Sequence, residues 1–560
     1  MKTYLRVMIT RIKWLIPLLL LIASISLAQV PKKTKTFTHA DTLRGSLNPD
    51  RDWWDVQKYD IQVTPDFLTK TIEGITTITF KAVRNGQRMQ IDLQEPMVID
   101  KIEDATFSRQ NNIALVDLPR PVKAGAIVRI NIYYHGKPTE SFNPPWDGGW
   151  VWKKDQLGRP WMSAACQGLG ASVWYPCKDH QSDEPDSGAT LSIFVPDSMV
   201  AVGNGRLVNK IIGNNGIAMY TWRVVNPINN YLIIPYIGKY VNFTDTLMGE
   251  KGKLDLSFWV LDYNLRKARE HFSQVKLMLR AFEYWMGPYP FYEDSYKLVD
   301  APYLGMEHQS ATAYGNRYMN GYLGKDLSNS GWGLKWDYII VHESGHEWFA
   351  NNITTKDIAD EWVHEGITCY SEVLFTEYYY GKEAGNDYCY GLRSGIRNNE
   401  PLIGSYGVNQ GGTGDIYPKG ANLMHTIRHA INNDELFRGI LRGLNSNFYH
   451  QTVTTGQVEN YISHQSGFDF SKVFDQYLRH TQIPRLEFYI DSARPAIICR
   501  WTDCIDGFNL PLALPLSGIK ISPGTNWQTF PITKNELESF KSSNIERLYY
   551  IKIKELSVKP

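Results

Sequence analysis

The segment Val341-His342-Glu343-Ser344-Gly345-His346-Glu347-Trp348-Phe349 decides how the middle of this chain is read. On an α-helix, His342 and His346 lie one turn apart and project from one face, so both imidazoles reach a single ion. Glu343 stands beside the first of them, where its carboxylate contacts a water at that ion without ligating it. Catalytic zinc usually takes three protein groups and keeps one position open. The third is Glu365, nineteen positions beyond His346 in Glu361-Trp362-Val363-His364-Glu365-Gly366. The interval holds a helix end, a loop and a second helix packed antiparallel. Glu372 lies on the same face of that helix, placed to accept a hydrogen bond from a liganding imidazole. His364 points about 100° away from Glu365. His425 and His429 repeat the spacing without the Glu and read as a packed or solvated helix face. Gly345 costs the zinc helix about 1 kcal/mol relative to Ala and reads as room for close packing.

Outward from this centre the periodicity changes twice. From about Asp52 to Asp262 apolar residues alternate with polar ones, as in Tyr59, Ile61 and Val63 or Leu191, Ile193 and Val195, with Gly and Pro clusters between the runs. Phe272, Val275, Leu279, Phe282 and Met286 then recur at helical spacing, and helical segments dominate to about Arg479. After Pro484 the chain turns strand-like again, over a length sufficient for a small sandwich. The expected division is a signal segment at residues 1–28, an N-terminal β domain at 29–262, a helical zinc domain at 263–485 and a small C-terminal β domain at 486–560.

Composition excludes several classes of function. The 560 residues carry 59 Lys and Arg against 58 Asp and Glu, a net charge of +1 that gathers neither nucleic acid nor an anionic membrane. Lys2, Arg6, Arg11 and Lys13 precede the apolar run Trp14 to Leu27, and Ser26-Leu27-Ala28 fits a signal-peptide cleavage site before Gln29. The expectation is an exported protein, periplasmic or secreted, with no membrane contact beyond that segment and no lipid-attachment Cys. Six Cys are too few for a disulfide scaffold. Cys166 with Cys177 and Cys499 with Cys504 are close enough in sequence to bridge, and Cys369 and Cys389 either pair or stay as buried thiols.

The motifs together resemble the aminopeptidase N family of zinc metallopeptidases, the M1 family, which includes the leukotriene hydrolase branch. The zinc segment followed by Glu365 inside Trp-x-x-Glu-Gly is one element. The family's Gly-x-Met-Glu-Asn motif falls on Leu304-Gly305-Met306-Glu307-His308, with Leu in place of the Gly and His in place of the Asn. Its Tyr before Lys-Gly-Ala falls on Tyr417, and its Gln before Pro-Cys-x-Asp falls on Gln167, ahead of Pro176-Cys177-Lys178-Asp179. The resemblance covers about Asp52 to Leu486. It implies an α+β multidomain fold: an N-terminal all-β domain, a thermolysin-like α/β zinc peptidase domain and a small C-terminal β domain. Nothing after Leu486 is long enough for the large helical C-terminal domain of longer members, so a shortened architecture is expected.

The implied activity is release of the N-terminal residue from peptides with a free N-terminus, with one zinc ion per chain. Zinc held by His342, His346 and Glu365 activates a water, Glu343 is the base, and Tyr417 stabilises the oxyanion. Glu307 and Gln167 hold the α-amino group, while Tyr303 and the backbone at Gly305 help to place the scissile carbonyl. The alternatives are a thermolysin-like endopeptidase, against which Glu307 speaks, a zinc epoxide hydrolase, and a non-catalytic peptide-binding protein, against which the intact ligands and base speak.

Overall fold

The alternating region folds as strands in the computed structural model, which describes residues 36–514 and 517–560. The predicted signal segment lies outside these residues. Among them no helix is long and apolar enough to cross a membrane.

The long strand Trp54–Asp66 sits at the centre of a seven-stranded sheet, antiparallel to Thr71–Ala82 and parallel to Ala189–Pro196. Its register places Ile61 opposite Thr76 on one side and Leu191 on the other. Val56, Tyr59, Ile61 and Val63 are buried, as the period of two requires. A three-stranded and a four-stranded sheet complete this β domain. The strand Pro160–Ala165 of the second leads directly to Gln167.

The expected boundary at residue 262 is corrected by strand pairing. Tyr240–Gly249 and Gly252–Leu261 form a hairpin whose second strand runs parallel to Tyr296–Asp300, with Leu256 opposite Tyr296 and Phe258 opposite Leu298. The hairpin therefore begins the five-stranded sheet of the zinc domain. Its Phe243, Leu254, Leu256 and Phe258 enter one core with Phe272, Leu279 and Phe282 of the helices that follow. Alternation reports that a segment is a strand but not which sheet it joins.

The C-terminal segment differs from a sandwich. It forms a four-stranded sheet, in the order Gln528–Pro531, Ala496–Thr502, Arg485–Asp491, Lys552–Glu555, and a two-stranded one of Leu512–Ala513 and Lys520–Ile521. Two helices, Lys534–Ser542 and Ile545–Leu548, stand beside it. Thr533 and Glu536 form a capping box at the start of the first, a helix signal legible in Thr-x-x-Glu. This segment shares the core of the zinc domain. The Tyr549 hydroxyl donates to the His429 carbonyl at 3.0 Å, and the Tyr550 amide donates to Thr426 at 2.9 Å. All six Cys are free thiols.

Candidate active site

The helix Tyr338–Gly345 carries the first half of the site. Asp337 caps it by accepting from the Ile340 amide, so its axis is fixed one turn before His342. Tyr338 stacks on the His342 ring at 5.0 Å. After His346 the helix unwinds through a kink at Phe349 and Ala350, where Ala350 has φ 139°. Such a backbone costs a non-glycine residue roughly 1–3 kcal/mol. It turns the Phe349 carbonyl back to accept from His346 Nδ1 at 3.1 Å. The Nδ1 of His342 lies 2.6 Å from Glu372 Oε1, as its place on the helix face predicts, and Tyr388 donates to the other Glu372 oxygen at 2.6 Å. Both imidazoles are thus anchored through Nδ1, which leaves Nε2 of each with its lone pair.

The two Nε2 atoms converge on Glu365 Oε2, at 3.6 Å from His342 and 3.3 Å from His346. Glu365 sits on the helix Trp362–Tyr380, packed across Tyr338–Gly345. Gly345 serves that packing, since a Cβ there would come within 2.7 Å of Ser371 Oγ. His364 is not in the set: its Nε2 accepts from the Thr355 amide at 2.8 Å. The ligand atoms of His342, His346 and Glu365 all lie within 4.8 Å of one another. Glu365 Oε2 is buried and accepts no hydrogen bond from a donor among the described residues. A buried carboxylate oxygen without a donor, facing two imidazole lone pairs, fits a cation, and an N₂O donor set suits zinc. His425 and His429 by contrast are buried in the core.

Tyr417 reaches the same cavity because two helices nearly touch. A Cβ on Gly366 would come within 2.9 Å of the Cα of Gly420, so Trp362–Tyr380 and Pro418–Ile431 cross without intervening side chains. Tyr417, just before the second helix, lies over His342 with ring centres 5.9 Å apart. Burial and the neighbouring carboxylates of Glu365 and Glu307 hold its hydroxyl well above the usual range, so it stays a proton donor.

Opposite lies Glu307, 3% exposed. It accepts from the Tyr231 hydroxyl at 3.0 Å, and Asn351 holds its backbone carbonyl at 2.9 Å. Burial raises its carboxyl, with His346 acting in the opposite direction. No Lys or Arg pairs with it among the described residues. Ligand atoms of Glu307, Glu343 and His346 also fall within 4.8 Å of one another. Gln167 enters from the β domain, its amide 3.5 Å from Glu365 Oε1. Burial pushes Glu343 up to about 7, against the pull of the two imidazoles.

The upstream motif does more than its sequence shows. A Cβ on Gly305 would stand 2.7 Å from Glu343 Oε1, so glycine there makes room for the base. His308 faces the β domain, with Nδ1 2.6 Å from the Tyr236 hydroxyl, and burial lowers it to about 3, which keeps it neutral. Tyr303, expected beside the scissile carbonyl, is turned away. Its hydroxyl donates to the Ala164 carbonyl at 2.9 Å, and it does not line the zinc cavity. Tyr231 and Tyr338 escaped the sequence reading because no local pattern distinguishes either from 31 other tyrosines among the 33.

The zinc ligands, Glu343, Glu307, Gln167 and Tyr417 line a cavity of about 320 Å³. Glu372→Gln is expected to lower zinc affinity about 10- to 100-fold with all three ligands intact, measured by competition with a chromogenic chelator. Unchanged affinity would remove Glu372 from the account.

Residues 271–477 match the peptidase family M1 domain. The chain is 22% identical over 438 residues to leukotriene A-4 hydrolase of Xenopus laevis, covering 73% of this chain and 68% of that one. It is also 22% identical over 422 residues to human endoplasmic reticulum aminopeptidase 1, covering 70% of this chain but 44% of the relative. Its fold matches the M1 zinc metallopeptidase of Deinococcus radiodurans bound to a Tyr-Ser-Ala substrate, with TM-score 0.63 and 22% identity over 77% of this chain and 95% of that one. The match to the M1 domain spans the zinc ligands, the base and Glu307.

Proposed function

We propose that this chain is an exported zinc aminopeptidase that removes one residue at a time from the free N-terminus of short peptides. The observation that carries the reading is Glu307, a buried carboxylate that no Lys or Arg among the described residues pairs with, within 4.8 Å of Glu343 and His346. A substrate ammonium supplies the missing cation. One aminoacyl unit then bridges from that carboxylate to the zinc ligands.

His342, His346 and Glu365 would hold a zinc ion, which would supply Lewis acidity toward the scissile carbonyl and the attacking water. Glu343 accepts the proton of the attacking water on its carboxylate and returns it to the leaving amine. A carboxyl poised near neutrality suits both directions of that transfer. The Tyr417 hydroxyl donates to the carbonyl oxygen as negative charge develops there. Tyr417→Phe is expected to lower kcat about a hundredfold with KM little changed, and steady-state kinetics on one peptide reads the split. An equal loss confined to KM would assign Tyr417 to ground-state binding instead.

Incubating the zinc-loaded full chain with a pentapeptide and following products by mass spectrometry tests the reading. The free N-terminal residue and the tetrapeptide are the expected first products; an internal first cut would contradict it. The basic segment and apolar run before Gln29 support export, and Gln29 as the N-terminus of protein recovered from the exporting cell is its test.

A further inference from the structure

The short strand Gly305–Met306 is the edge of the five-stranded sheet, paired with Thr312–Tyr314 on one side only. Its open side faces the zinc cavity. An extended peptide laid antiparallel on that edge, with its ammonium at Glu307, advances about 3.3 Å per residue past Gly305 and Leu304. There a second cleft opens, of about 590 Å³, sharing Trp146 and Leu304 with the zinc cavity. Trp146 stands at the junction, 64% exposed. Its loop is held in place by Asp147, which accepts from the amides of Phe142 at 2.7 Å and Asn143 at 2.8 Å.

The two cavities have opposite charge. The zinc cavity is walled by Glu307, Glu343 and Glu365, whereas Lys153, Lys154, Lys267 and Arg317 line the cleft. The two carboxylates of the cleft are already satisfied. Asp155 is bonded to Arg159 at 2.7 Å, and Asp300 accepts from Tyr318 at 2.6 Å, Asn264 at 2.9 Å and the Leu261 amide at 3.0 Å. Lys153 donates to the Pro302 carbonyl at 2.9 Å. Lys154, Lys267 and Arg317 are exposed, and no carboxylate pairs with them among the described residues. In a chain of net charge +1 this is a local cationic surface, not a general one.

We propose that the cleft is a carboxylate subsite for the downstream end of the substrate, formed by Lys154, Lys267 and Arg317. The inference rests on the aminopeptidase reading and adds a substrate class: short peptides whose C-terminal carboxylate, or whose acidic side chain, falls at the third or fourth residue. The ammonium end is read by Glu307 and the carboxylate end by the cleft, so the enzyme favours peptides short enough to present both.

The experiment compares kcat/KM for one tetrapeptide as the free acid, as the C-terminal amide, and as an amide with Glu at the fourth position. Wild type is expected to favour a carboxylate-bearing form over the plain amide by about 10-fold at low salt. Preference for the acid names the C-terminus as the source, and preference for the Glu-containing amide names the side chain. In the triple variant K154Q/K267Q/R317Q the ratio should fall below about 2-fold. Should that variant not fold, the salt dependence of the wild-type ratio decides, since exposed cations lose their hold between about 0.05 and 0.5 M salt. Equal rates on all three peptides, or a ratio indifferent to both the substitutions and salt, overturns the subsite. An aminoacyl fluorogenic amide, which ends before the cleft, is measured alongside. If wild type hydrolyses it while showing no carboxylate preference, only the subsite falls; if it does not, the aminopeptidase reading falls with it.

Discussion

Glu343→Gln is expected to bind zinc as tightly as wild type and to hydrolyse peptides about 10²- to 10⁴-fold more slowly. The amide preserves the volume beside Gly305, where a Cβ would already stand 2.7 Å from the base, and it takes no proton from water. Glu343 is not one of the three ligands His342, His346 and Glu365, so the metal should stay. His346→Ala makes the contrast, because it removes an imidazole fixed through Nδ1 on the Phe349 carbonyl, and zinc and activity should be lost together. Metal analysis of both purified variants beside their kinetics reads the difference. Stoichiometric loss of zinc from Glu343→Gln would make Glu343 a ligand, and tight zinc in His346→Ala would place the ligand elsewhere.

Glu307→Ala should keep its zinc and lose about 10²- to 10³-fold in kcat/KM on a peptide with a free amino terminus. The size follows from burial: the substrate ammonium is stripped of water against a buried carboxylate that accepts from the Tyr231 hydroxyl. An N-acetylated peptide brings no ammonium and leaves Glu307 unpaired in that site. The two losses remove one interaction from opposite sides, so they should not add. In a cycle of wild type and Glu307→Ala on free and acetylated peptide, a large coupling energy is expected. Strict additivity would mean that Glu307 and the amine do not meet.

The zinc centre was legible in the sequence because it is built from helical spacing, which is local. His342, His346 and Glu372 need only one turn or two to be placed on a face, and the gap to Glu365 had to hold a single helix reversal. What was not legible depends on contacts distant in sequence. The hairpin Tyr240–Leu261 joined the zinc domain through pairing with Tyr296–Asp300, which alternation does not encode. Tyr231 reaches Glu307 from 76 residues away, and Tyr303 turned toward the β domain because the Ala164 carbonyl offered its hydroxyl a buried acceptor. Gly305 was read as a backbone donor, whereas its lack of a side chain matters for the base. The helix Lys534–Ser542 is a different case, since its capping box lay in the sequence and was outweighed by the strands on either side.

The central claim is that hydrolysis is counted from a free α-amino group, and it comes down to wild-type enzyme on one pair of substrates. The measurement is kcat/KM of zinc-loaded protein for a single short peptide, free and N-acetylated, at one pH and salt concentration. The account predicts that the acetylated peptide is cleaved at least about a hundredfold more slowly. Equal rates on the two peptides would contradict it and make the chain an endopeptidase.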